Sequence, residues 1–220
     1  LRVARELRGA RPAVIGVNLG GLGFLTEVRS GDLPQVLREV WRGRFTLDRR
    51  AMLEAVVTSG GAESSPFPAL NDFVISRSVV SRLIELDVKV NGEDLTTYRC
   101  DGLIISSPTG STAYSLSAGG AVVSPEAEVI ALTPVCPHTL SNRSVVVSLK
   151  SRIDVRIVSG RVETILSADG QNEAQLRAGD VVSIRRSARS VDLVRLQGTS
   201  FFETLRRKLH WRGSNVSPHR

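Results

Sequence analysis

The chain has 220 residues, of which 41% are apolar and 23% charged, and a formal net charge of +7. That length buries roughly 70% of the unfolded surface, enough for one large or two modest domains, in a composition ordinary for a globular protein. No apolar run approaches the ~20 residues of a membrane helix, no signal-peptide pattern opens the chain, and neither a disulfide framework nor zinc-ligand spacing is present.

Arginine carries the positive charge, since lysine occurs only at Lys89, Lys150 and Lys208. Such an excess attracts anionic partners, or lies spread over solvated faces. The arginines are dispersed, in runs no longer than Arg49-Arg50, Arg185-Arg186 and Arg206-Arg207, and no basic stripe is interleaved with aromatics. That pattern argues against nucleic acid as a partner. The two thiols, Cys100 and Cys136, stand apart from any CxxC and fit a reducing cytoplasm.

In chain order, residues 1–10 read as a helix with Leu1, Ala4 and Leu7 on one face. No capping residue precedes it, which suggests an element lying upstream. Residues 13–18 (AVIGVN) read as a buried strand entering Gly20-Gly21-Leu22-Gly23, an α/β pattern whose ligand crevice lies beyond the strand ends. Thr26 stands where a dinucleotide fingerprint needs its last glycine, so the glycines read as a place of close backbone approach. Asp32 is expected to cap a helix through Trp41, with Pro34 in its first turn.

From about Phe45 the pattern turns to short strands, expected at 50–58, 72–76, 84–90, 103–106, 129–133, 144–149, 153–158, 163–167, 181–186 and 191–196. Residues 84–90 (IELDVKV) alternate cleanly and meet Asn91-Gly92, a hairpin signal. Many short strands with glycine-containing turns predict a β-sandwich-like domain. A last helix over 201–211 carries Phe201, Phe202, Leu205 and Leu209 on one face, and 212–220 reads as a frayed tail. The expected fold class is therefore α/β plus all-β, with an α/β remainder over 1–44, a β-sandwich-like domain over 45–198, and a helix and tail over 199–220.

The most informative stretch is 101–120, DGLIISSPTGSTAYSLSAGG. An apolar strand enters a turn built on Pro108 and Gly110 and crowded with seven hydroxyl residues between 106 and 117. This reads either as a donor- and acceptor-rich surface for an oxygen-rich ligand, or as a strand–turn–helix capped by Ser111 or Thr112. Asn71-Asp72 pairs an amide with a carboxylate just before a strand, suiting an adenine edge and ribose hydroxyls, or forming an Asx turn. His138 belongs to no catalytic triad pattern, since no GxSxG elbow exists, and reads as structural.

DGLIISSPTGSTAYSLSAGG resembles the signature of the NAD kinase family, whose members phosphorylate NAD to NADP. VIGVNLGGLGFLTE (14–27), NDFVIS (71–76), LTPVCPHTLSNR (132–143) and ADGQ (168–171) are similar to further family segments and follow in the same order. The resemblance runs from about Ala13 to the helix near Trp211.

The resemblance implies a small α/β domain and a larger all-β domain with NAD at their junction, the last helix packing back on the first. It implies NAD contacts from Asn71, Asp72, Arg82, Arg99, Asp101, Thr109, Thr112, Ala113, Tyr114, Ser115, Ser117 and Gln171. Asn71-Asp72 would hold adenosine, and Asp101 would face the nicotinamide side, sometimes of a neighbouring subunit's site. Tyr114 offers a flat face and one hydroxyl against a nicotinamide or ribose. Arg82, Arg99 and Gln171 read equally as surface charges and a hairpin residue. Many members carry Glu at the position of Asp72, and proline where Ser144 stands. No catalytic residue is assigned within the chain: the family's Gly-Gly-Asp-Gly motif, whose Asp acts as base, is expected just upstream of Leu1. On that expectation the isolated 220 residues are weakly active or inactive.

The expected reaction is phosphoryl transfer from ATP or inorganic polyphosphate, with Mg²⁺ or another divalent cation on the donor phosphates, to the adenosine ribose 2′-hydroxyl. A cytoplasmic homo-oligomer, dimer or tetramer, without nucleic acid or membrane partners, is expected. Two alternatives stay open: a non-catalytic NAD(P)-binding sensor or inactive paralogue, and a lipid or sphingoid kinase of the same superfamily, in which PTGSTAY followed by SLSAGG is not expected.

Overall fold

A computed structural model describes residues 1–7, 11–20, 23–26, 28–78, 82–138, 143–160, 162–196 and 200–211. The expected tail, the end of the expected first helix at 8–10, Gly21 and Leu22 of the glycine turn, Glu27, and 139–142 of the CPHTLSNR segment lie outside the described residues. Two compact units are formed: residues 1–11 with 50–191, and residues 12–49 with 192–220.

The elements run α1 (Arg2–Glu6), β1 (Ala13–Val14), β2 (Val17–Asn18), β3 (Val28–Arg29), α2 (Leu33–Trp41), β4 (Thr46–Ser59), β5 (Ala62–Glu63), β6 (Phe67–Ala69), β7 (Asp72–Arg77), β8 (Ile84–Val90) and β9 (Glu93–Cys100). They continue β10 (Gly102–Ser106), α3 (Tyr114–Ser117), β11 (Val129–Val135), β12 (Val145–Ser148), β13 (Ile153–Ile157), β14 (Thr164–Ala168), β15 (Gln171–Leu176), β16 (Val181–Arg195) and α4 (Phe201–Lys208).

Among the described residues the larger unit is strand and loop apart from α1, α3 and a 3-10 turn over Gly110–Thr112. One sheet has the order β5-β4-β16-β13-β8-β9, with β6 beside β4; the other has the order β12-β11-β10-β7-β14-β15. Period-two alternation sorts each strand's residues between two faces. Leu53, Leu86, Val155 and Ile184 from the first sheet share one core with Phe73, Ile75, Leu103, Ile105, Leu132 and Leu166 from the second. In β8 the expected alternation holds, with Ile84, Leu86 and Val88 buried. Asn91 at φ 53° and Gly92 at φ 86° then make a turn that only such residues enter without strain.

The central strands β7 and β10 set the site. Every residue of β10 is buried, and Ile104, on the face turned from the shared core, is fully covered. The register pairs Ser106 with Asp72 and Gly102 with Ser76. The 106–112 turn therefore rises beside the start of β7, and Asp101 stands beside its end.

The smaller unit carries β1, paired parallel with β16 through Ala13↔Asp192, and β2 paired parallel with β3. The Phe24 ring lies 6.1 Å from that of Phe201, at the start of α4, and the Lys208 ammonium 5.6 Å above it. Arg195 pairs with Asp48 at 2.9 Å, and burial lowers the pKa of its guanidinium.

Several local expectations are corrected. The strand over 13–18 is two short pieces, and 181–186 and 191–196 are one continuous strand, β16. Asp32 occupies the N-cap of α2 without a capping side-chain bond, because a 3-10 turn over Ser30–Asp32 already leads into the helix. Neither Ser111 nor Thr112 caps α3, whose N-cap is Ala113. In α4, Leu205 is buried but Phe202 points outward, 59% exposed. β9 and β15, the return strands of the two Asn-Gly and Asp-Gly hairpins, complete the sheets.

Candidate functional site

The site begins where β7 starts. Asp169, at φ 50°, and Gly170, at φ 80°, form the turn joining β14 to β15. The Asp169 carboxylate reaches across and accepts the main-chain N–H of Leu70 at 2.9 Å, Asn71 at 2.7 Å and Asp72 at 3.3 Å. Three donors on one carboxylate hold 70–72 in one conformation.

On the other side, the Asn71 carbonyl accepts the Ser107 N–H at 2.8 Å, and the Ser107 hydroxyl donates to the Leu70 carbonyl at 2.6 Å. Gly110 passes so close that a Cβ there would stand 2.1 Å from the Asn71 carbonyl oxygen. No larger residue fits, so this glycine is required by contact.

Within that frame the Asn71 amide oxygen Oδ1 is buried and has no hydrogen-bond partner. An unpaired buried acceptor costs about 1–3 kcal/mol. Asp72 is buried beside it, and its carboxyl pKa is pushed up to about 7, first by burial and then by the charge of Asp169. Consecutive residues thus carry an amide acceptor without a partner and a desolvated carboxyl, suited to a ligand that brings its own donors.

Most hydroxyls of the 106–117 turn are committed internally. Ser106 donates to the Ser107 carbonyl, and Ser111 donates to that of Pro108 while accepting the Val123 N–H. Ser115 is fully buried and bonded to Thr133 at 3.0 Å. Thr109 is 6% exposed, and its hydroxyl accepts from the buried Arg50 guanidinium at 3.2 Å. Thr112 donates to the Thr109 carbonyl. The dense hydroxyls staple the turn, leaving its backbone and the side chains of Ala113, Tyr114 and Ser117 as its outer surface.

At the far end of β7, Asp101 pairs with Arg77 at 2.9 Å. The two line a pocket of about 330 Å³ with Ser76, Gly102, Tyr114 and Val135, into which the half-exposed Tyr114 faces. A second pocket, of about 360 Å³, lies in the smaller unit among Leu25, Val28, Val36, Leu193, Asp32 and Glu39, and holds none of the expected site residues.

The sequence matches the ATP-NAD kinase C-terminal domain family over residues 70–196. An NAD kinase of Syntrophotalea carbinolica is 46% identical over 211 residues, 96% of this chain and 74% of that protein. The chain belongs to the NAD kinase family. Two solved structures of such kinases are similar in fold. Yeast NADH kinase complexed with NADH superposes with a TM-score of 0.90 at 32% identity, covering 97% of this chain and 63% of that one. An NAD kinase from Archaeoglobus fulgidus in complex with ATP superposes at 0.76 with 26% identity, covering 97% and 79%.

Set against the residues expected for an NAD kinase, the structure brings two groups together. Asn71, Asp72 and Thr109 gather at the start of β7; Asp101 and Tyr114 meet at the wall of the pocket at its far end. Arg99 instead lies exposed on the edge strand β9, paired with Glu85 at 3.0 Å, and Arg82 is exposed. Gln171 accepts from Arg5 at 2.9 Å. His138 donates its main-chain N–H to the Arg99 carbonyl, a structural use.

Four further residues escaped the sequence reading: Asp169, Arg77, Arg50 and Arg5. Asp-Gly signals a hairpin whether or not its carboxylate reaches another strand. The arginines are signalled only by a charge set beside strand residues, a pattern shared with solvated faces.

Proposed function

We propose that this chain carries the NAD-binding part of a kinase that converts NAD to NADP. The observation that supports it best is the unpartnered, buried Asn71 Oδ1 beside the buried Asp72 carboxyl. In this reading an adenine amino group donates to Asn71, and ribose hydroxyls donate to Asp72. The nicotinamide end extends toward Asp101 and Tyr114, with Thr109, Thr112, Ala113, Ser115 and Ser117 shaping the turn between, and residues 45–198 act as the NAD-binding domain.

The ribose 2′-oxygen attacks the terminal phosphorus of the donor. The bond to the leaving phosphate breaks, and the hydroxyl proton passes to a carboxylate. By the family resemblance that base is the Asp of a Gly-Gly-Asp-Gly motif, which these 220 residues do not include. Phosphoryl transfer of this kind rests on positioning and charge stabilisation, to which rigid anchoring of the acceptor contributes directly.

Among the described residues no group of three or more His, Cys, Asp or Glu comes together to hold a metal ion. In this reading Mg²⁺ enters as part of the donor substrate, on the phosphates of ATP or inorganic polyphosphate. No described helix is long and apolar enough to cross a membrane. We take the protein to be a cytoplasmic homo-oligomer, dimer or tetramer, a state that sedimentation velocity measures.

The test is an assay for NADP from NAD, using the protein expressed from its full reading frame with Mg–ATP or Mg–polyphosphate. NADP above a no-enzyme control supports the kinase and ranks the donors. NAD binding without NADP would leave the sensor reading in its place.

A further inference from the structure

We infer that Arg5 is a positioning residue for the Asn71–Asp72 turn, acting through the β14–β15 hairpin. This rests on the reading that Asn71 and Asp72 hold NAD. The argument begins with α1, which has five residues and no buried side chain. A helix that short is not stable alone, and its apolar Ala4 and the following Leu7 are only half-buried, near Met52 and Ala188. Arg5 ties it to the β-sheets by hydrogen bonds.

The Arg5 guanidinium donates to the Ala168 carbonyl at 3.1 Å and to Gln171 Oε1 at 2.9 Å, and it pairs with the Glu173 carboxylate. Ala168 is the last residue of β14, and Gln171 and Glu173 are the first and third of β15. One planar fork therefore spans both strands of the hairpin and sets the angle at which its tip stands. The tip is Asp169, whose carboxylate holds the N–H groups of 70–72.

This pair is not an ordinary surface contact. The side chains of Arg5 and Glu173 are 12% and 17% exposed, so solvent screens them little. The Arg5 Nε is buried without a partner, as is Asn71 Oδ1. Both unsatisfied atoms belong to residues bonded to this one hairpin. A second consequence concerns Gln171: with its oxygen committed to Arg5, its amide N–H groups are the half left for a ligand.

The experiment compares Arg5→Met, which keeps the apolar stem, with the parent enzyme expressed from its full reading frame. Initial rates are measured against NAD and, separately, against Mg–ATP. The NAD KM is expected to rise about tenfold while the Mg–ATP KM stays within about twofold, since the fork acts on the NAD side alone. Glu173→Gln should show the same split more weakly, which keeps the test open if Arg5→Met fails to fold. Asn71→Ala is the control. If it loses NAD binding and both fork variants keep the parent NAD KM, Arg5 has no positioning role, whatever the thermal stability does. If Asn71→Ala itself binds NAD normally, the reading of the site falls instead.

Discussion

The Asp169 carboxylate accepts the main-chain N–H of Asn71 at 2.7 Å, across 98 residues of sequence. A turn residue thus builds the neighbouring strand's entrance. Asp169→Asn keeps a side chain tolerant of φ 50° but loses the charge that strengthens three hydrogen bonds. A loss of about 1–3 kcal/mol in unfolding free energy is expected by urea denaturation, with weaker NAD binding by calorimetry. Unchanged stability together with unchanged affinity would show that the three bonds are dispensable.

Asp72 should make both stability and binding depend on pH. Its folded-state pKa is raised to about 7, chiefly by burial and then by Asp169. A carboxyl raised above its unfolded value of about 3.9 binds its proton more tightly in the folded state. Stability from this group is therefore full below about pH 4 and declines as pH rises toward 7. Asp72→Asn removes the buried charge and should flatten that decline, read from Tm between pH 5 and 8.

The same group predicts the opposite trend for the ligand. Ribose hydroxyls donate best to the ionised carboxylate, so NAD binding should strengthen as pH rises through about 7, with a proton released on binding below that pH. Calorimetry in two buffers of different ionisation enthalpy measures that proton directly. Equal heats in both buffers at pH 6 would exclude Asp72 as the titrating contact.

The periodic parts of this chain were readable because local pattern and tertiary demand agree. IELDVKV followed by Asn91-Gly92 could form little else than an edge-ward hairpin, and LIIS over 103–106 had to be buried wherever it lay. The turn at 106–117 was readable as important but not in its workings. Its hydroxyls were open to two uses, and side-chain bonds to Leu70, Pro108 and Thr133 decide for internal bonding at several positions. Those partners lie up to 37 residues away, beyond any local pattern. The Arg5–hairpin fork, spanning 163 to 168 residues, was unreadable for the same reason.

Ser115 tests which hydroxyls of the turn serve structure alone. It is fully buried, bonded to Thr133, and Gly120 passes so near that a Cβ there would stand 2.3 Å from its oxygen. Ser115→Ala should cost about 1–2 kcal/mol of stability, while Ser144 still bonds Thr133 at 3.1 Å. Its NAD affinity, measured below the melting range, should match the parent. A large affinity loss at unchanged Tm would instead place the Ser115 hydroxyl on the ligand.

Tyr114 should behave in the reverse way. The residue is 48% exposed on the pocket that Asp101 and Arg77 also line, so truncation removes little packing. Tyr114→Ala is expected to leave Tm within about 1–2 °C, since surface changes fall within about 0.5 kcal/mol. Its NAD affinity should fall about tenfold, the size expected when an aromatic face leaves a stacked ligand. Tyr114→Phe discriminates further. Retained affinity assigns the contact to the ring face, and a loss equal to that of Tyr114→Ala assigns it to the hydroxyl. Parent-like affinity in both variants would remove Tyr114 from the site and confine the NAD contacts to the start of β7.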